Sequence, residues 1–337
     1  MNKNVKQRLL MALLAALAAF VGYIVKPDPA PAPLPPSTVT QEAPRSFGWI
    51  PDPQAVDEIR STLPFPVFRD TEAFQSGTGS DDVHLWDACR KVTGDVLPAR
   101  DQKSVGCCVG FGTAAAIEHL ICVQAANASD ETFHEIAPEI VYAGSRVEIG
   151  GGRVRGDGSV GAWAAKFVNQ FGVLPRGKFG ALDLVKYDER TCRELGMKGV
   201  PDELEPAVKE HPVKAIANVR SWAEAQAAIR NGYPIAVCSS QGFGMVRDGE
   251  GFCPPQGVWY HCMALLGIRG GTRPGGFLLN SWGPNAHSGP QGPGEPPGGF
   301  WADASVLDRM LKQGDSWAFS SFTGFPSQKL DWFAKGK

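Results

Sequence analysis

The chain has 337 residues, room for one large domain or two modest ones, and its 43% apolar and 20% charged residues describe an ordinary globular protein. A net charge of −2 excludes the basic footprint of a nucleic-acid binder or of a protein drawn to an anionic surface. Eight cysteines at this length exclude a small disulfide scaffold, yet leave room for a few bridges and a free thiol.

The first residues differ in kind from the rest. Lys3, Lys6 and Arg8 precede an apolar run from Leu9 to Val25, and Lys26 closes it. The run is long for a signal-peptide core and short for a spanning helix, with Lys26 placed to snorkel. The residues after it, Lys-Pro-Asp-Pro, do not suit cleavage. Residues 1–26 therefore read as an uncleaved signal anchor, N-terminus in the cytoplasm and the remainder outside; cleavage would give a secreted protein instead. Residues 27–44 are a linker, whose Pro27 to Pro36 stretch (PDPAPAPLPP) favours an extended, semi-rigid spacer. Residues 45–85 form an N-terminal extension, with Gln75 to Asp82 a loop by composition.

From Trp86 the chain first gives helical and then strand signals. Cys108 to Ala126 is apolar, rich in alanine and free of proline, so it predicts a buried helix; Gly110 and Gly112 allow close backbone approach. Ala162 to Phe171 predicts a second helix, with Trp163, Phe167 and Phe171 on one face and Gly172 as its stop. Ser221 and Glu224 form a capping box opening a third helix, which ends at Asn231-Gly232. Strands are predicted at Pro234 to Ser239, His261 to Ile268 and Gly276 to Trp282, with weaker signals at Phe300-Trp301 and Trp317 to Phe322. Helices first and strands later imply an α+β fold.

The chemistry gathers on these elements. A loop holding Gln102 and Gly106 runs into the helix that starts at Cys108. A cysteine at a helix N-terminus faces unpaired N–H groups and the positive end of the dipole, which favour the thiolate nucleophile. The same N–H groups, joined by the Gln102 amide, are placed to hold a developing oxyanion. His261 opens an apolar strand, and a turn from Gly270 to Gly275 leads to the strand carrying Asn280. Pairing of the two strands would put Asn280 beside His261, where its oxygen fixes the imidazole tautomer. Adjacent His261 and Cys262 point to opposite strand faces, so zinc is a poor reading of Cys253, His261 and Cys262. Neither a metal nor a cofactor is implied.

This set resembles the papain-like cysteine peptidases. Gln102 resembles their oxyanion glutamine, Cys108 their nucleophile, His261 their base and Asn280 their orienting asparagine. Asn280-Ser281-Trp282-Gly283 matches the family's NSWG string, in which Trp282 would shield the His–Asn hydrogen bond. Trp86-Asp87 with Arg90, Gly156 to Ser159, and Gly299 to Trp301 resemble weaker family landmarks, so the likeness spans roughly residues 86–325, leaving 326–337 as a tail. It implies a two-lobed fold: a helical lobe carrying the nucleophile and an antiparallel, barrel-like lobe carrying the histidine and asparagine strands. Gly158 and Ser159 would bind substrate backbone, while Trp259, Tyr260 and Cys262 would line a pocket. The sequence departs from the family at Val105, Cys107 and Val109, where a half-cystine, a small residue and an aromatic are expected. Gly156 stands where the half-cystine's partner is sought, and Cys107 sets a second, oxidisable thiol beside the nucleophile. The resemblance implies a monomeric peptidase acting on proteins or peptides through an acyl-enzyme; the membrane tether rests on the first 36 residues alone. The alternative is an inactive papain-fold binding or surface protein. A long inhibitory prosegment does not fit before Trp86, so autoinhibition is absent or residues 45–85 supply a shorter device.

Overall fold

The structure, a computed structural model, describes residues 46–76, 82–127, 132–211 and 213–330. The anchor, the whole linker, most of the loop from Gln75 to Asp82 and the end of the tail lie outside the described residues.

One half of the domain is helical. Helix α1 (Pro53–Arg60) and α2 (Trp86–Thr93) precede the long α3 (Cys108–Ala126), then α4 (Pro138–Gly144), α5 (Gly161–Gln170) and α6 (Glu189–Lys198). Helix α3 is apolar around its whole circumference and is buried on nearly every side, as such a composition requires. It is also the one described helix long and apolar enough to cross a membrane, but its burial in the domain core marks it as a core helix.

The other half is a seven-stranded antiparallel sheet. Its strands are β1 (Val83–His84), β2 (Ala215–Asn218), β3 (Ile235–Phe243), β4 (Pro255–Arg269), β5 (Gly275–Leu279), β6 (Gly299–Asp303) and β7 (Ser316–Ser320). The order is β2-β7-β3-β4-β5-β6, with β1 on β4. Helices α7 (Trp222–Arg230) and α8 (Ala304–Leu311) pack against it.

Each helix and strand predicted from sequence is present within a few residues. The strand of His261 is longer than its pattern, because its first residues are exposed and carry no apolar alternation. The Ser221 cap forms, its Oγ accepting from Glu224 N and donating to Glu224 Oε1, while Glu224 Oε2 accepts from Arg220 N rather than from the cap residue's backbone N–H. The Gly/Pro-rich run from Gly283 to Gly299 is held by side chain as well as backbone. Arg247, 4% exposed, donates to Gly299 O and His287 O and pins it against the sheet.

Candidate active site

Cys108 begins α3, with Cys107 at the cap position, so its thiol sits at a helix N-terminus as the composition predicts. The helix lies across β4. A Cβ on Gly112 would come 2.9 Å from Cys262 Sγ, so glycine is what allows this approach. Cys262 is the residue after His261, and its N–H reaches the Cys108 sulfur. Strands β4 and β5 pair antiparallel, Ala264 opposite Leu279, and this brings His261 and Asn280 together.

Asn280 Oδ1 lies 2.8 Å from His261 Nε2 and also accepts from Ser281 N at 2.7 Å. The backbone donor settles the amide's orientation: oxygen faces His261, which must carry its proton on Nε2. Nδ1 is then the basic nitrogen, and it is buried without a partner. Trp282 stacks on the imidazole with ring centroids 4.6 Å apart, and Trp259 closes in edge-on at 6.2 Å. Gln102 is fully buried; its Oε1 accepts from Ser281 Oγ at 2.5 Å, which turns Nε2 toward the cleft. The structure thus gathers Gln102, Cys108, His261, Asn280 and Trp282 where α3 meets the sheet.

The cleft between them is filled by the chain itself. Residues 46–50 cross it as an extended strap. Ser46 O accepts from Gln102 Nε2 at 3.1 Å and from Trp282 Nε1 at 3.3 Å. Phe47 sits edge-on to His261 and Trp282. Gly48 N and Trp49 N donate to Tyr260 O at 3.2 and 2.9 Å. Ser159 N donates to Gly48 O and Ile50 N to Ser159 O, a parallel pairing. Trp49 anchors the far end, its Nε1 donating to the buried Asp315 carboxylate at 2.7 Å.

Under this strap His261 Nδ1 has no hydrogen-bond partner, so the thiol and imidazole are not hydrogen-bonded to each other. Burial pushes the Cys108 thiol up, Cys262 adding to it, while the N–H groups of Cys262, Gly48 and Val109 pull it down. Burial holds His261 down to about 4, against the hydrogen bond it donates to Asn280. Burial thus favours the neutral form of each group.

The remaining predicted residues divide. Ser159 pairs with the strap through its backbone. Gly158 touches Ile50, but its polar groups face the helical lobe, where Tyr142 OH accepts from its N and Arg146 donates to its O. Tyr260 contributes its carbonyl, and its φ of 40° is a left-handed conformation uncommon outside glycine. Cys262 faces the helix rather than the cleft. Cys107 corrects an expectation: its thiol does not share the cleft, but turns into a separate cluster with Phe111, Tyr142 and Cys192, 3.5 Å from Tyr187 OH. Successive helix residues point about 100° apart, so neighbours at the helix start serve different surfaces. Two participants escaped the sequence reading. The strap carries no motif, and His287 lies in a run whose glycines and prolines read as a loop.

The architecture has known counterparts. Xylellain, a cysteine protease from Xylella fastidiosa, superposes with a TM-score of 0.51 at 17% identity over 82% of this chain and 92% of that one. The fold is papain-like. Procathepsin B S9 from Trypanosoma congolense aligns over 83% of this chain and 86% of its own, with a TM-score of 0.49 and 14% identity. Bromelain from Ananas comosus, in complex with the E64 inhibitor, covers 72% and 99% at a TM-score of 0.47 and 16% identity. No protein-family model matches the sequence, and neither does any curated protein. At such identities the likeness establishes the two-lobed α+β architecture.

Proposed function

We propose that this protein is a cysteine peptidase held latent by its own residues 46–50 and tethered to a membrane through residues 1–26. The observation that carries the peptide-substrate reading is the strap. An extended peptide occupies the cleft by backbone hydrogen bonds to Ser159 and Tyr260, which do not depend on its side chains. The tether rests on the basic head and apolar run of the sequence.

In the proposed mechanism the strap withdraws and water enters, which lowers the cost of charge on both partners. The proton of Cys108 Sγ passes to His261 Nδ1. The thiolate adds to a peptide carbonyl carbon, and the oxyanion is held by Gln102 Nε2 and the Cys108 N–H. Collapse breaks the C–N bond as His261 gives its proton to the leaving amine. Water, deprotonated by His261, then cleaves the thioester and restores the thiol. Asn280 and Trp282 keep the imidazole in register, and Ser159 and Tyr260 align the substrate backbone.

The test is labelling by an epoxysuccinyl inhibitor, followed by mass spectrometry, on reduced full-length protein carrying Gly48→Ala to loosen the strap. Cys108 should be modified, and modification should vanish in His261→Ala. A folded protein whose Cys108 reacts no faster than a simple thiol, with or without His261, would be an inactive papain-fold binding protein.

A further inference from the structure

The Gly283 to Gly299 run brings a second imidazole to the site. His287 is 4% exposed, and its Nε2 lies 3.0 Å from Asn280 Nδ2. Asn280 Oδ1 is committed to Ser281 N–H and His261, so the amide NH2 must donate toward His287. Nε2 of His287 is therefore the acceptor and its proton sits on Nδ1, 3.5 Å from Cys253 Sγ. The ring rests on Phe300 at 4.4 Å between centroids. Its backbone is clamped as well: Arg247 Nη1 donates to His287 O, Arg247 N to Ser288 O, and Ser288 N to Met245 O. A buried guanidinium here serves carbonyl groups of this run, a costly arrangement for holding a surface connection. Together these contacts form a line from Cys253 through His287 and Asn280 to His261.

We propose that His287 is a positioning residue for the peptidase reaction, holding the Asn280 amide with its oxygen on His261 so that Nδ1 of His261 faces the nucleophile. The proposal rests on the peptidase reading of Cys108 and His261. An asparagine amide is nearly symmetric in shape, and a flipped amide would present N–H to His261 and reverse its tautomer. Ser281 N–H opposes the flip from one side, and His287 opposes it from the other. The size of the effect is that of one neutral hydrogen bond, about fivefold in rate, equivalent to about 1 kcal/mol.

The test uses the full chain with Gly48→Ala. Cys108 alkylation by iodoacetamide is followed from pH 4 to 9, where a thiolate sustained by His261 gives reactivity on the acid side. His287→Leu and His287→Asn should each lower that acid-side rate about fivefold. His287→Gln, whose terminal oxygen falls near the lost Nε2, should recover most of it. In an Asn280→Ala background His287→Leu should have no further effect, whereas a merely structural role would persist there. An acid-side rate unchanged in His287→Leu, or a loss that remains in the Asn280→Ala background, overturns the proposal. A parent protein indifferent to His261→Ala overturns the peptidase reading instead. In that case nitrogen-15 spectra of the full chain still decide the contact: a scalar coupling from the Asn280 amide to an unprotonated His287 Nε2 supports it, and a protonated Nε2 refutes it.

Discussion

Adding one methyl group to the strap should open the cleft. A Cβ on Gly48 would lie 1.9 Å from Gly106 O and 2.3 Å from Gly106 C. Both are backbone atoms in the loop entering α3, so neither can swing aside as a flexible side chain would. The φ of Gly48 is outside the left-handed region, and alanine there has no other backbone objection. Gly48→Ala thus penalises the closed strap and leaves the rest of the domain as it is. Overpacking of this kind costs about 1–3 kcal/mol. If that cost falls on the closed state alone, the open fraction rises about 5- to 150-fold, at tenfold per 1.36 kcal/mol. The assay is the rate of Cys108 modification by iodoacetamide in full-length protein at low reagent, where the rate follows the open fraction. An increase within that range supports a strap that gates the thiol. Modification no faster than in the parent, in a protein whose melting curve shows it folded, would mean that residues 46–50 do not control access.

Two further predictions concern buried charge. Burial holds His261 and His119 down to about 4, against an ordinary 6.5. Between those values the unfolded chain binds protons that the folded one refuses, so stability falls as pH drops through the window, by up to about 3 kcal/mol per histidine. Glu118, pushed up to about 7 by burial, acts oppositely: its contribution is whole below 4.5 and is lost as pH rises through 7. Glu118→Gln keeps an acceptor for Ile136 N–H and removes this counterweight. Its Tm should therefore fall more steeply than the parent's between pH 6.5 and 4.5; parallel slopes in thermal melts would contradict the assignment. Asp315 accepts from Trp49 Nε1, Trp317 Nε1 and Gly161 N, all buried. Asp315→Ala strands three donors, costing about 3 kcal/mol or more, or roughly 6 °C in Tm. A loss of under about 2 °C by calorimetry would show that water replaces the carboxylate.

Much of this architecture was legible along the chain. The helix of Cys108 announced itself because nineteen residues of mainly apolar, alanine-rich composition without proline have no stable place but a core. The strands of His261 and Asn280 were legible because a short turn between two apolar runs leaves antiparallel pairing as the natural outcome. Gln102 was legible through its place in the loop before the helix. Residues whose partners are distant in sequence were not. His287 meets Asn280 because Arg247, forty residues earlier in the chain, clamps its carbonyl. Phe47 and Gly48 carry no pattern of their own, since an extended segment held by backbone hydrogen bonds leaves almost no trace in side-chain identity.

The sequence by itself therefore determined which residues are candidates for the chemistry and the order of elements that bears them, because helix starts, strand runs and turns are local. Tertiary structure decided their state. It laid residues 46–50 over the thiol, left Cys108 and His261 buried and unjoined beneath that cover, turned Cys107 away from the cleft, and set a second histidine behind Asn280. Each of these depends on which surfaces meet and how much water remains between them, and no local pattern encodes that.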